Sequence, residues 1–526
     1  MESSCVRHTL IPGSSKLFTD YLYHFDRVKD FYRYSFWDPE ALAESARVID
    51  FPDRRRAALV SALREQNNDQ AALDKLANTG AVAVVTGQQV GLFSGPCYTI
   101  FKALTAVKMA AQLSAQGIPA VPIFWLATED HDLAEVDHAW VFNEDASPER
   151  VSLQMKVTAN GGPVGQLAMA DVPLSELRQA LGGLPFVEET LERIGRHYHP
   201  GATLGSAFRS FLQETLRGFG LLYLDPLAPA IRELAEPFLR EAIDRIPELV
   251  PKLRQRGHDL ESSGYHAQVL VEKDASLLFL LGEHKRVPIR FKDGRFAAKD
   301  RAYTAGELQS MAGRLSPNAL LRPVMQDYLL PTVSYVGGPS EIGYMAQAEV
   351  LYAGLLGRMP VIFPRNSFTL LDARAEKLMN RYRLRLPEML DYHESVRQRM
   401  AERLVPPKLR EELSSKRSEF GAELAKVKAK LAGFDPTLGR AAKTTTSKIL
   451  YQMEKLSGKV AREAMRREER AERDSLYLMN LIYPHRHLQE RFYSIVPFLA
   501  RYGPDLPARL LDEAQTACPD HMVRTI

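Results

Sequence analysis

The stretch 82–102, VAVVTGQQVGLFSGPCYTIFK, limits the fold more than any other part of this chain. An apolar, β-branched run enters a turn of small residues and leaves through Gly95-Pro96 into a helical pattern, which is the grammar of strand, loop and helix. Gly87, Gly91 and Gly95 remove side chains where a ligand would approach the backbone. Pro96 suits a first helical turn whose free N–H groups attract an anion. Further on, AVPIFWLATEDHD makes a second apolar strand that runs into Glu129, Asp130, His131 and Asp132. Two strands that both end in polar groups predict a parallel sheet with a ligand crevice outside the strand ends.

A chain of 526 residues exceeds the usual domain size, so at least two compact units are expected. Lysine and arginine total 68 against 65 for aspartate and glutamate, and a net charge of +3 argues against nucleic acid or membrane as a bulk partner. The three cysteines, Cys5, Cys97 and Cys518, are far apart in sequence and lack CxxC spacing. Neither a disulfide framework nor a thiolate metal site is therefore expected, and a reducing cytoplasm fits. No run approaches the ~18 apolar residues of a membrane span, and MESSCVRHTLIPGSS has no apolar signal core.

The pattern predicts an α/β chain: a Rossmann-like parallel-sheet core with connecting insertions plus an α-helical antiparallel coiled-coil domain. Residues 1–80 read as helical and aromatic-rich, packing on the core. The core spans 81–391, with insertions at about 145–220 and 260–310, and a coiled-coil domain spans 392–475. Residues 476–526 return to mixed character and pack back on the core. Leu409, Leu413, Phe420, Leu424, Val427 and Leu431 follow heptad spacing, with Lys416 in the skipped position. After the turn at 433–436 a second helix carries Leu438, Thr445, Ile449, Leu456 and Val460, so a hairpin is expected from about 400 to 475. The run EAMRREERAERD reads as a solvated helical face, with nucleic acid or partner contact as the alternative.

The motifs point to chemistry at strand ends. Thr86, Gly87, Gln88 and Gln89 offer a hydroxyl, backbone N–H groups and two amides that can hold a carboxylate or phosphate, with Gly95 and Tyr98 following. A structural turn is the competing reading. Glu129, Asp130, His131 and Asp132 gather three carboxylates and an imidazole, and their repulsion should push one pKa upward, as a general base or acid requires. Asp137-His138 follows; a metal site from His131, His138 and a carboxylate lacks a recognised ligand spacing, so no metal is expected. In GGPSEIGY, Tyr344 stands where a P-loop needs lysine, so this is not one. Gly337 and Gly338 suit close ligand approach or a tight left-handed turn, and Glu341 and Tyr344 can bind an amine or a sugar hydroxyl. Arg365, beside Asn366, is the candidate partner of a substrate carboxylate, with a surface ion pair as the alternative.

TGQQVGLFSGPCYTIFKAL, FWLATEDHDLAEVDH and YVGGPSEIGYMAQ, with the coiled-coil region and YPHRHLQERF behind them, resemble the signature blocks of BshC, the cysteine ligase family of bacillithiol biosynthesis. The resemblance covers essentially the whole chain. It implies a Rossmann-type core, a coiled coil that makes a homodimer, and the last-step addition of L-cysteine to the amino group of glucosaminyl malate. It also implies a nucleotide pocket near the coiled coil, for ADP or ATP, with Tyr483, His485, Gln489 and Arg491 as contacts. Cys97 departs from the apolar residue of the family pattern, which argues against a nucleophilic role. Two other classes stand beside this reading. A nucleotidylyltransferase or aminoacyl-activating enzyme would show HxGH-type histidines where this chain has Gln88 and Gln89, and a non-catalytic coiled-coil scaffold would bury and pair its strand-end groups.

Overall fold

Residues 82–89 alternate between two apolar environments: Val82 and Val84 pack on one side, Ala83 and Val85 on the other. A strand buried on both faces belongs inside a parallel sheet, and a computed structural model, describing residues 4–153, 161–282, 285–299 and 301–526, has it there. The central sheet consists of β1 (Val82–Gln89), β2 (Ala120–Ala127), β3 (Leu222–Leu224), β4 (Thr332–Gly337) and β5 (Val361–Pro364). Their order is β3-β2-β1-β4-β5, every pair parallel, and β1 matches β2 from Val82↔Ala120 to Gln89↔Ala127.

Helix α1 (Tyr98–Ala115) leaves β1 and buries Ala106, Met109 and Leu113 on the Val82 and Val84 face. Helix α2 (Pro229–Ser262) and α3 (Pro339–Leu355), which follow β3 and β4, cover the opposite face with Phe238, Leu239, Ile342 and Met345. The chains leaving β1 and β4 thus diverge to opposite faces, and a crevice opens between the carboxyl ends of these two neighbours.

The connecting insertions differ in extent from the sequence expectation. The first begins with the hairpin His138–Phe142 and Pro148–Ser152, ahead of residue 145, and continues through the helices Leu174–Ala180, Val187–His197 and Leu204–Thr215. The second is an antiparallel sheet that extends past residue 310, because Leu315–Pro317 pairs with Ala275–Leu281. Residues 154–160, 283–284 and 300 of these expected insertions, and 1–3 of the N-terminal segment, lie outside the described residues. In that segment Tyr21, Phe31 and Tyr32 are buried. The strands Ser4–Val6, His521–Thr525 and Phe368–Leu371 form a small sheet that joins the two ends of the chain.

Helices α4 (Pro407–Phe434) and α5 (Pro436–Arg467) form an antiparallel hairpin, with Arg417 beside Glu454 and Gly439 beside Ala432. The Asp435 carboxylate caps α5 by accepting from the amides of Thr437 and Leu438. The seam is corrected on α5. Thr446, Leu450, Met453 and Ser457 lie half-buried toward α4, whereas Thr445, Ile449 and Leu456 face outward. On α4, Leu413, Leu424 and Leu431 line the hairpin, but Phe420 and Val427 are 51% and 50% exposed. The heptad spacing fits two stripes on each helix, and only packing chooses between them. Among the described residues no helix is long and apolar enough to cross a membrane.

Candidate functional site

A cavity of about 290 Å³ fills the crevice between β1 and β4, with Gln88, Asp130, Arg322, Ser340, Tyr344 and Arg491 among its walls. Behind its wall, bonded to the lining residues Gly87, Gln88 and Glu341, lies a group that sequence reasoning missed. Lys102 stands on the buried face of α1, where TIFKAL otherwise reads as apolar, and is 1% exposed. Its Nζ donates to the Gly87 carbonyl at 2.6 Å and to Gln88 Oε1 at 3.2 Å, and lies 2.6 Å from Glu341 Oε2. Glu341 also accepts from the Tyr335 hydroxyl at 2.5 Å and the Gly338 amide at 2.8 Å. Burial alone would raise the Glu341 carboxyl; Lys102 and the Gly338 amide outweigh it and hold it below its ordinary value. With Gln88 Oε1 facing Lys102, Nε2 is left to donate to the Tyr98 hydroxyl at 3.2 Å.

Arg365 lines the same cavity, yet it is not a free cation. It is buried and pairs with Glu490 through two bonds of 2.9 and 2.7 Å. This corrects its assignment to a substrate carboxylate: the protein already supplies the anion, across 125 residues of sequence. Among the described residues, the arginines of the cavity with no carboxylate within 4.0 Å are Arg322 and Arg491. Arg322 donates to the Tyr344 hydroxyl at 2.8 Å, and burial pushes that phenol up to about 12, so it keeps a proton to offer. Arg491 is exposed, with its guanidinium 5.8 Å from the Tyr98 ring centre.

The four residues after β2 separate. Asp130 faces the cavity, accepting from Gln89 Nε2 at 2.6 Å and from the His131 amide at 2.7 Å. Burial would raise its carboxyl, but these bonds and Arg286 hold it below its ordinary value. Glu129 is buried away from the cavity against Arg232, 2.8 Å distant, and burial pushes its carboxyl up. The expectation of mutual repulsion is therefore corrected: the raised group is Glu129, and the main cause is desolvation. The His131 side chain is 44% exposed, with Nδ1 3.5 Å from Asp130 Oδ1 and 3.4 Å from Arg286 Nη1. Asp132 is exposed. His138 Nδ1 sits 2.9 Å from Asp137 Oδ1, and among the described residues no group of three or more His, Cys, Asp or Glu is placed to hold a metal ion.

Several expected contacts are structural. The Thr86 hydroxyl donates to the Val336 carbonyl at 2.9 Å, tying β1 to β4, and a Cβ on Gly87 would lie 2.7 Å from the Trp125 carbonyl oxygen. Asn366 exchanges bonds with the Gln515 backbone, and Gln489 with that of Leu370, so both amides are occupied. Gly337 and Gly338 lack positive φ; a Cβ on Gly338 would lie 3.4 Å from Arg365 Nε, so close packing replaces the left-handed turn. The start of α1 is no open anion cradle. The Cys97 amide donates to the Tyr493 carbonyl at 2.7 Å, and those of Thr99 and Ile100 turn back onto Pro96 and Cys97.

Two further cavities flank the first, and Arg491 lines all three. One, of about 340 Å³, includes His8, Tyr483 and Glu490. The other, of about 490 Å³, includes Gln89, Gly95, Tyr98, Trp140, His485 and Phe492. Its aromatic wall has Trp140 and Phe492 centres 4.6 Å apart and His485 stacked on Phe492 at 5.2 Å. Non-glycine residues with positive φ border this cavity from both sides, Phe93 and Ser94 before Gly95, and His485 with Arg486. Such strained turns persist where the surroundings over-determine them, commonly at ligand sites.

This is a doubly wound, Rossmann-type α/β protein, with a charged crevice at its switch point and a long helical hairpin. The chain belongs to the BshC family of bacillithiol biosynthesis. Residues 1–366 match the family model described as the N-terminal Rossmann-like domain, and 368–526 that of the C-terminal coiled-coil domain. A curated relative from Solibacter usitatus (strain Ellin6076) is 50% identical over 100% of both chains. Relatives from Koribacter versatilis (strain Ellin345), 36% identical over 99% of each chain, and Salinibacter ruber (strain DSM 13855 / M31), 32% identical over 96% of this chain and 95% of its own, are similar too. All three carry the name "Putative cysteine ligase BshC".

Proposed function

We propose that the protein is a cysteine ligase that forms an amide bond between L-cysteine and the amino group of glucosaminyl malate, in the cytoplasm, as the last step of bacillithiol synthesis. The observation that carries this reading is the charge pattern of the central cavity. Lys102 and Arg365 are cancelled by Glu341 and Glu490. Arg322, Arg491 and Asp130 remain, two positive and one negative, opposite in sign to the two carboxylates and one ammonium of glucosaminyl malate. Asp130 receives the ammonium, and the proton lost before attack passes through His131, 3.5 Å away and open to solvent. The nitrogen lone pair then joins the cysteine carbonyl carbon, while Gln88 Nε2, Tyr98 and Tyr344 supply donors to the developing oxyanion.

A free carboxylate is a poor acyl donor, so its oxygen has to leave bearing a phosphoryl or adenylyl group, which ATP would supply. The 490 Å³ cavity suits a nucleotide: its Trp140, Phe492 and His485 wall can stack a base, and Arg491 stands where it joins the central cavity. Tyr483 opens instead on the 340 Å³ cavity, and Gln489 is occupied by Leu370, so neither serves here. The exposed stripe of Phe420, Val427 and Leu456 on the hairpin is the face by which a second copy would form the homodimer.

Purified protein with cysteine, glucosaminyl malate and ATP should yield the cysteinyl product with AMP or ADP, read by mass spectrometry. Absence of product under every nucleotide condition, with no saturable binding of glucosaminyl malate, would overturn the reading.

A further inference from the structure

Cys5 and Cys518 are separated by almost the whole chain, yet the small sheet of the termini brings them together. Cys5 lies in the strand Ser4–Val6, opposite Met522 of His521–Thr525. The residues just after Cys518 are pinned to the N-terminal segment. His8 Nε2 lies 3.1 Å from the Pro519 carbonyl oxygen, and the Tyr23 hydroxyl donates to Asp520 Oδ1 at 2.6 Å. This pairing sets the 518–522 stretch against the N-terminal strand, and Cys518 is the thiol that neighbours Cys5. Cys5 is exposed and Cys518 half-exposed, whereas Cys97 is buried. A soluble reagent therefore meets two adjacent thiols and is kept from the third.

We propose that Cys5 and Cys518 form an oxidisable dithiol, closed to an intramolecular disulfide by small disulfides such as cystine and reopened by small thiols. One protein thiol loses its proton to solvent, and its sulfur attacks a sulfur of the small disulfide; that S–S bond breaks and one small thiolate leaves and is protonated. The second protein thiolate then attacks the protein sulfur of this mixed disulfide and expels the other small thiol. Two electrons pass from the protein thiols to the reagent, and two small thiols are released. The pinned geometry favours the second step over hydrolysis or a second mixed disulfide, because the attacking sulfur is already at hand. Burial and the neighbouring Cys518 raise the Cys5 thiol above its ordinary value, so exchange should quicken as pH rises. The bridge would clamp the strand leading to His8, a wall of the 340 Å³ cavity, and its formation does not depend on the ligase reading.

The test uses the full-length native protein with cystine, followed by denaturation, thiol titration and peptide mapping. The expected result is a fall from three thiols to one, loss of two hydrogens in mass, and a cross-linked peptide pair containing Cys5 and Cys518, restored by dithiothreitol. Cys5→Ser protein should instead stop at a stable mixed disulfide on Cys518. Three unreacted thiols, or mixed disulfides on both cysteines without the cross-linked peptide, would overturn the proposal.

Discussion

Replacing Glu490 by Gln tests whether Arg365 is anchored by the protein. Glu490 takes two bonds from Arg365, one from the Ser367 hydroxyl at 2.8 Å and one from the Phe368 amide at 3.0 Å. Burial by itself would raise its carboxyl, yet Arg365 and these bonds carry it from 4.5 down to about 2. At ~1.36 kcal/mol per pH unit, that difference corresponds to about 3 kcal/mol of stabilisation by the ionised form. Removing one partner of a buried pair costs about 3–5 kcal/mol, the same order. The folded value lies below the unfolded one, so the contribution is complete above about pH 4.5, shrinks as pH falls, and is gone below about pH 2. A multi-domain chain of this length does not unfold in one two-state step, so hydrogen exchange over residues 366–371, which include the Phe368 amide, is the suitable assay. At neutral pH, Glu490→Gln should lower the local opening free energy by about 2–4 kcal/mol, and Arg365→Met with Glu490→Met should recover more than half of that. Exchange in Glu490→Gln within about 0.5 kcal/mol of the parent would refute the reasoning.

Arg322→Met should raise KM for glucosaminyl malate by ~10-fold or more, the worth of one charge-assisted pair, while an amino sugar with an uncharged aglycone should lose much less; equal losses in steady-state kinetics would remove Arg322 from carboxylate recognition. His131→Asn keeps a hydrogen bond but cannot titrate, so turnover should fall by ~10² with the fold intact by circular dichroism; an active, folded variant would move the proton relay elsewhere. Phe420→Asp with Val427→Asp places charges on the outward stripe and should give monomers with an intact hairpin, whereas Leu424→Asp with Leu431→Asp should unfold the hairpin itself. Sedimentation velocity and circular dichroism separate the two outcomes, and wild-type monomers at micromolar concentration would refute the dimer directly.

Local rhythm made much of this protein readable. The apolar runs before Thr86-Gly87-Gln88-Gln89 and Glu129-Asp130-His131-Asp132 identify two neighbouring parallel strands, and the polar residues that follow mark the ligand end of the sheet. The signature blocks of the family are short and contiguous, so they too are legible in the sequence. What periodicity does not carry is the choice among near-equivalent neighbours. Glu129 and Asp130 are adjacent letters, yet one meets Arg232 in the core and the other meets the cavity, because the chain turns just after Ala127 and sends the two side chains different ways. Ile449 and Leu450 offered the hairpin two stripes one residue apart, and the facing α4 surface selected the second. Long-range charge pairing was the larger blind spot. Lys102 meets Glu341 and Arg365 meets Glu490 only after the sheet has closed, since desolvation drives each buried charge to an opposite one wherever in the chain it lies. Sequence alone thus determined the kind of fold and which end of the sheet holds the site; tertiary packing decided which charges there are already satisfied and which are left for a ligand.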